Sequence, residues 1–162
     1  MAMQYDVKSK HMSASGVAVN YRTRLKGAIV SANATAAARN AVFADNSTQT
    51  GTYDIPGSTV CTVTITAHGL TTGDRVWLNF TTGSGATNNV YAVTVTSPNA
   101  FTVTTASLTT NGNVTMYATI LMEVDSYNST SFTAFIPGEG ILAENGIYVG
   151  LVANLTTTIF YG

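Results

Sequence analysis

The sequence predicts an all-β protein, an antiparallel β-sandwich-like domain interrupted by a small inserted β-barrel or β-sandwich module. Short runs in which Thr alternates with apolar residues recur along the chain, and clusters of Gly, Asn, Ser and Pro separate them. Alternation with period two is typical of strands, and such clusters are typical of turns. The 162 residues, 45% of them hydrophobic, can bury one core of ordinary size and still form a small added module.

Alternation in the middle of the chain predicts five strands, which lie at residues 60–66, 75–80, 90–96, 101–104 and 113–117. A turn signal at 97–100 separates two of them. The dipeptide Asn111-Gly112 predicts a type I′ hairpin turn that returns the chain along its neighbour. These strands therefore form one compact unit.

The flanking segments predict a second set of strands, at 3–10, 17–21, 24–31 and 41–45 before the middle unit and at 118–125, 131–136, 147–152 and 158–161 after it. Gly-containing turns lie at 137–140 and 144–146. The Ala-rich segment 32–38 could form a helical turn, although so short a segment rarely holds a helix without tertiary support.

The domain organisation follows from these two sets of strands. Residues 47–51 resemble a linker in composition. We expect residues 1–52 and 118–162 to form one outer β domain and residues 53–117 to form the inserted module. A hairpin tip is a favourable place for such an insertion, because the two chain ends lie close together there.

The charge content is low, at 9% of residues against a typical value of about 25%. The hydrophobic content excludes a disordered chain. The surface must then consist largely of Thr, Ser, Asn and Gly. Such a surface lacks the dispersed charge that keeps free proteins apart, and it suits a protein fixed in an assembly.

Basic residues are concentrated near the N-terminus, whereas the remainder of the chain is acidic. Arg22, Arg24 and Lys26 alternate and should point to one face of a strand. Glu123 or Asp125 could pair with these cations within the domain, or a partner's carboxylates could pair with them across an interface. No aromatic and basic recognition motif is present, so we expect no nucleic-acid binding. The candidate interface residues are Lys8, Lys10, Arg22, Arg24 and Lys26.

The sequence contains no recognisable catalytic or metal-binding motif, so we expect neither an enzyme nor a cofactor. His11 and His68 have no second ligand at zinc spacing, and no Gly-x-Ser-x-Gly elbow occurs. His68 and Asp74 are expected to cap a turn. The stretch 76–122 is uncharged but lacks the roughly 20 mostly apolar positions of a membrane span, so no membrane association is expected.

A few strand residues have alternative interpretations. Glu123 and Asp125 lie two apart and could share a cation, face solvent or pair with the basic segment. Cys61 is expected to be a buried thiol. Trp77 is a candidate glycan contact, although its alternation with Val76 and Leu78 favours burial.

Two parts of the sequence resemble proteins of tailed bacteriophages. Residues 66–78 (TAHGLTTGDRVWL), 91–95 (YAVTV) and 100–103 (AFTV) resemble a small β module that recurs in virion proteins. The flanks are similar to short structural proteins of marine tailed phages. They carry this similarity at 4–8 (QYDVK), 21–26 (YRTRLK), 136–142 (IPGEGIL), 147–149 (IYV) and 160–162 (FYG).

The resemblance implies a capsid decoration, or cement, protein. Its partners would be the phage major capsid protein and further copies of itself. A trimer is expected because cement proteins tend to occupy local threefold positions. The protein would be made in the host cytoplasm and reside on the capsid exterior, with the outer domain anchored and the inserted module projecting. A tail or head-tail connector component and a surface-exposed glycan-binding adhesion module are the alternatives.

Overall fold

A computed structural model of the protein describes residues 6–32, 39–126, 130–152 and 154–162. This part of the chain contains strands and no helix, which confirms the predicted all-β class. It accordingly includes no helix long and apolar enough to cross a membrane. The helical turn considered for 32–38 falls, beyond Ala32, outside the described residues.

Fourteen strands form three antiparallel sheets in the described residues. They are β1 (Lys8–Met12), β2 (Gly16–Val19), β3 (Thr23–Ala32), β4 (Arg39–Asp45), β5 (Gln49–Thr64), β6 (Arg75–Phe80), β7 (Asn89–Ala92), β8 (Thr94–Ser97), β9 (Ala100–Tyr117), β10 (Ile120–Ser126), β11 (Ser131–Phe135), β12 (Ile141–Ala143), β13 (Ile147–Leu151) and β14 (Leu155–Tyr161).

The chain divides into two compact units, one nested in the other along the sequence. The outer unit comprises Met1–Asn46 and Leu121–Gly162, and the inserted unit comprises Ser47–Ile120. The divisions therefore fall after residues 46 and 120, whereas the sequence placed them after residues 52 and 117.

The outer unit contains two sheets that share one core. The first sheet has the order β1-β14-β3-β11, with β12 also pairing β3, and the second has the order β10-β4-β13-β2. Leu25, Val30 and Ile159 of the first sheet and Phe43 and Ile147 of the second are fully buried in this core. Sheets that bury their apolar faces against a common core form a β-sandwich.

The inserted unit is built on one long antiparallel pair of strands, β5 and β9, which are far apart in the sequence. Strands β6 and β8 pair with β9, and β7 pairs with β6. The register between β5 and β9 shifts between Pro56 and Val60, where Gly57 has a φ of 76°. Ile55 and Cys61, from opposite sides of this irregularity, belong to the same buried cluster. The bend thus lets one sheet enclose its own core. The sheet does not close on itself, so the barrel alternative for this module is wrong and the sandwich-like alternative remains.

The hairpin turn predicted at Asn111-Gly112 is absent, because both residues lie inside β9. They pair with Asp54 and Tyr53 of β5. A Cβ on Gly112 would lie 2.5 Å from the carbonyl oxygen of Thr82. This glycine therefore permits the close approach of another backbone segment rather than a turn.

The linker predicted at 47–51 is also wrong in its second half. Gln49, Thr50 and Gly51 begin β5, opposite Met116 to Val114 of β9. A Thr-Gly sequence without apolar residues can still form a strand when a long partner strand supplies the hydrogen bonds.

Candidate functional site

Three of the five candidate basic residues line one cleft of the outer unit. The cleft has a volume of about 310 Å³. Lys8 belongs to β1, Arg24 belongs to β3, and Arg22 lies just before β3. Lys10 and Lys26 do not line it. The lining residues are Asp6, Lys8, Tyr21, Arg22, Thr23, Arg24, Leu142, Tyr161 and Gly162.

Arg22 forms a salt bridge within the outer unit. Its Nε lies 2.7 Å from Oε2 of Glu144, and the two side chains are 66% and 60% exposed. An exposed pair of this kind contributes about 0–1 kcal/mol. The carboxylate that pairs with Arg22 is therefore Glu144. The expectation that Glu123 or Asp125 would pair with it is wrong for this residue.

The register of β12 explains this pairing. Leu142 lies opposite Arg24 and Ala143 lies opposite Thr23. Glu144, which follows β12, is therefore brought beside Arg22, which precedes β3. The sequence analysis missed β12, which has only three residues and no long alternation, and hence missed its acidic neighbour.

Lys8 and Arg24 form no salt bridge within the described part of the chain. The Lys8 Nζ lies 5.9 Å from the centroid of the Tyr21 ring, a cation–π arrangement. Arg24 Nη1 donates to the carbonyl oxygen of Gly140 at 3.3 Å. Both cations thus keep donor capacity at the cleft, where a partner's carboxylates could bind.

Lys10 and Lys26 have different surroundings. The Lys10 Nζ donates to the carbonyl oxygens of Val17 and Ala18, at 3.4 and 2.9 Å, which ties β1 to β2. Lys26 alternates with Arg24 along β3, and both are half-buried. Arg22 precedes the strand, so the three alternating cations do not form one continuous strand face.

The acidic pair considered for a cation lies in β10. Glu123 Oε1 accepts a hydrogen bond from Nδ2 of Asn40 at 3.0 Å. No group of three His, Cys, Asp or Glu side chains suited to a metal occurs among the described residues. The pair is therefore placed on an edge strand of the second sheet without a third ligand in that part of the chain.

His68 is a structural element of the inserted unit. Its Nδ1 accepts a hydrogen bond from the backbone N–H of Leu70 at 3.0 Å, so the proton resides on Nε2, which donates to the carbonyl oxygen of Ser97 at 3.0 Å. The ring also packs edge-on against Phe101. Asp74 accepts from the N–H of Thr71 at 2.8 Å. Both side chains stabilise turns of the inserted unit.

Replacing His68 should destabilise the protein. His68→Ala removes both hydrogen bonds of a buried imidazole, which should lower the free energy of unfolding by about 1–3 kcal/mol. His68→Asn can still accept from Leu70 and should recover part of this loss. Urea denaturation followed by circular dichroism measures both variants, and equal stability of His68→Ala and the unmodified protein would contradict the role.

Trp77 is fully buried and offers no ring face to a sugar. Val76 and Leu78 belong to the core of the inserted unit, while Trp77 points to the other face of the sheet beside Tyr117, its partner in β9. Its indole Nε1 has no hydrogen-bond partner among the described residues. The glycan contact suggested for Trp77 is therefore not available in this structure.

Cys61 is fully buried in β5. Burial, with a smaller effect of the Asp54 carboxylate, raises the pKa of its thiol to about 11. The thiol consequently stays protonated at neutral pH and is a poor nucleophile.

Comparisons with known proteins give no family for the chain: no family model and no curated protein matches it.

Proposed function

We propose that this protein is a non-enzymatic structural component of a tailed-phage virion, which decorates the capsid exterior and stabilises it through protein–protein contacts. The phage assignment rests on the sequence resemblance of the HGL-containing module and the flanks. The low charge content supports it, because a protein held in an assembly does not need like-charge repulsion for solubility.

The observation that carries the mode of attachment is the cleft of the outer unit. Lys8 and Arg24 line it without a carboxylate partner in the described residues, while Arg22 is already paired with Glu144. Acidic side chains of a major capsid protein would form salt bridges with these two cationic side chains. The outer unit would then anchor the protein and the inserted unit would project.

Charge reversal in the cleft should release the protein from capsids. Lys8→Glu with Arg24→Glu should weaken binding to undecorated particles at least about tenfold, because two attractive contacts become repulsive. Binding of the unmodified protein should also weaken as salt rises towards 1 M, where the Debye length falls to about 3 Å. Co-sedimentation of purified protein with particles measures both effects.

Matched variants separate attachment from folding. Arg75→Glu reverses one cation in the inserted unit, which is half the net-charge change of the double variant, and should leave binding intact. Glu144→Gln frees Arg22 and should maintain or strengthen binding. If the double variant stays folded by circular dichroism and still decorates particles normally, the cleft is not the anchor.

Densitometry of virions tests the broader proposal, since hundreds of copies indicate decoration and about a dozen indicate a tail or connector position.

A further inference from the structure

Within the described part of the chain, strand β11 lies at an edge of the first sheet in the outer unit and no further strand pairs with it there. Its sequence, from Ser131 to Phe135, contains no charge, and its strand partner among the described residues is β3. Phe132 is 49% exposed and Phe135 is 74% exposed. Exposed edges with aromatic residues are prone to pair with a further strand.

Some backbone hydrogen-bonding groups of β11 have no partner among the described residues and face this edge. Ile136 N–H donates to Lys26, and the carbonyl oxygen of Thr130 accepts from Ala32. In an antiparallel ladder the bonded residues alternate. The even-numbered residues of β11 therefore bond to β3, and the N–H and C=O groups of Ser131, Thr133 and Phe135 point away from it.

Among the other edge strands of the described outer unit, β1 and β10 carry charges, and β2 and β12 are short, with four and three residues. Two lysines and a histidine lie in β1, and Glu123 and Asp125 lie in β10. The edge strand β2 has four residues, and the Lys10 Nζ binds the carbonyl oxygen of Ala18 there. Charges and short strands normally prevent edge pairing. Self-pairing of β1 or β10 would set like charges together, whereas self-pairing of β11 would not.

We propose that β11 pairs antiparallel with β11 of a second copy of this chain, about a twofold axis at Thr133. In this register each of Ser131, Thr133 and Phe135 exchanges backbone hydrogen bonds with the second copy, and the two first sheets become continuous. The interface is closed and twofold, so the unit of assembly is a dimer rather than the trimer that the resemblance implies. This inference does not depend on the capsid function.

Side-chain sizes across the proposed interface are complementary. Phe135 leans over Gly27, where a Cβ would lie 3.3 Å from its ring, and the ring lies 6.2 Å from that of Phe160. The proposed register sets Phe135 opposite Ser131 of the second copy, and a small residue leaves room for a large ring. The neighbouring rings of Phe160 and Phe135 in one copy would thus be followed by the small polar side chain of Ser131 from the other copy.

Cysteine cross-linking tests the register. Thr133→Cys places two thiols opposite each other at the twofold axis, within the range of a disulfide. Ser131→Cys is the matched control, because its two copies would stand four residues apart along the strands, or about 13 Å, which a disulfide cannot span. Buried Cys61 should not react. Under mild oxidation Thr133→Cys should form a covalent dimer at least about ten times faster than Ser131→Cys.

Charge variants provide a second test. Thr133→Lys and Thr133→Glu should each raise the dimer dissociation constant about tenfold or more, and an equimolar mixture should restore dimers as heterodimers. Sedimentation equilibrium measures the dissociation constants, and circular dichroism verifies the fold. A monomeric unmodified protein at millimolar concentration, a trimer unaffected by these variants, or equal cross-linking at the two positions would overturn the proposal.

Discussion

Trp77→Ala is expected to lower the free energy of unfolding by about 3–5 kcal/mol. The side chain is fully buried, so its truncation removes a large apolar surface and leaves a cavity. Because total stabilities of proteins are about 5–15 kcal/mol, such a loss could unfold much of the population. Urea denaturation followed by far-ultraviolet circular dichroism measures the change without relying on the indole fluorescence.

Trp77→Phe is the matched control for this prediction. The indole Nε1 has no hydrogen-bond partner in the part of the chain that the structure describes, so the phenylalanine loses packing volume but no hydrogen bond seen there. We expect it to cost about 1–2 kcal/mol, clearly less than the alanine variant. A loss below 1 kcal/mol for Trp77→Ala would contradict the burial. Loss of polysaccharide binding in Trp77→Ala would report unfolding rather than a sugar contact.

The period-two pattern predicted most strands because it depends on local alternation. In β5, Cys61 and Val63 are buried and Thr62 and Thr64 are exposed, as the pattern requires of a sheet with one face on a core. The pattern says nothing of which strands pair. The partner of Arg22 could not be found from the sequence, because it depends on the pairing of β12 with β3.

Glycine was the main source of error in predicting the inserted unit. Asn111-Gly112 has the composition of a type I′ turn, yet it lies within the long ladder between β5 and β9. The hydrogen bonds of that ladder override the local preference. Turn glycines and glycines that admit a neighbouring backbone look alike in a sequence, since both roles depend on the missing side chain.

Gly51→Ala should test this second role of glycine, with an expected loss of about 3 kcal/mol or more in the free energy of unfolding. A Cβ at Gly51 would collide with the carbonyl oxygen of Thr64 and lie 2.6 Å from Cγ1 of Ile65. These atoms belong to the far end of β5 and to the residue after it. The added methyl group must therefore push apart the two ends of the bent strand β5, which helps to enclose the core.

The effect of Gly51→Ala should be steric. Ile65 is only 2% exposed, and the Thr64 carbonyl oxygen is backbone, so neither group can move aside without shifting the strand. Thr52→Ala is the matched control in the same strand, because its side chain is exposed and should change stability by at most about 0.5 kcal/mol. Chemical denaturation compares the two. If Gly51→Ala were as stable as Thr52→Ala, the two ends of β5 could not be in contact, and the bend that encloses the core of the inserted unit would be wrong.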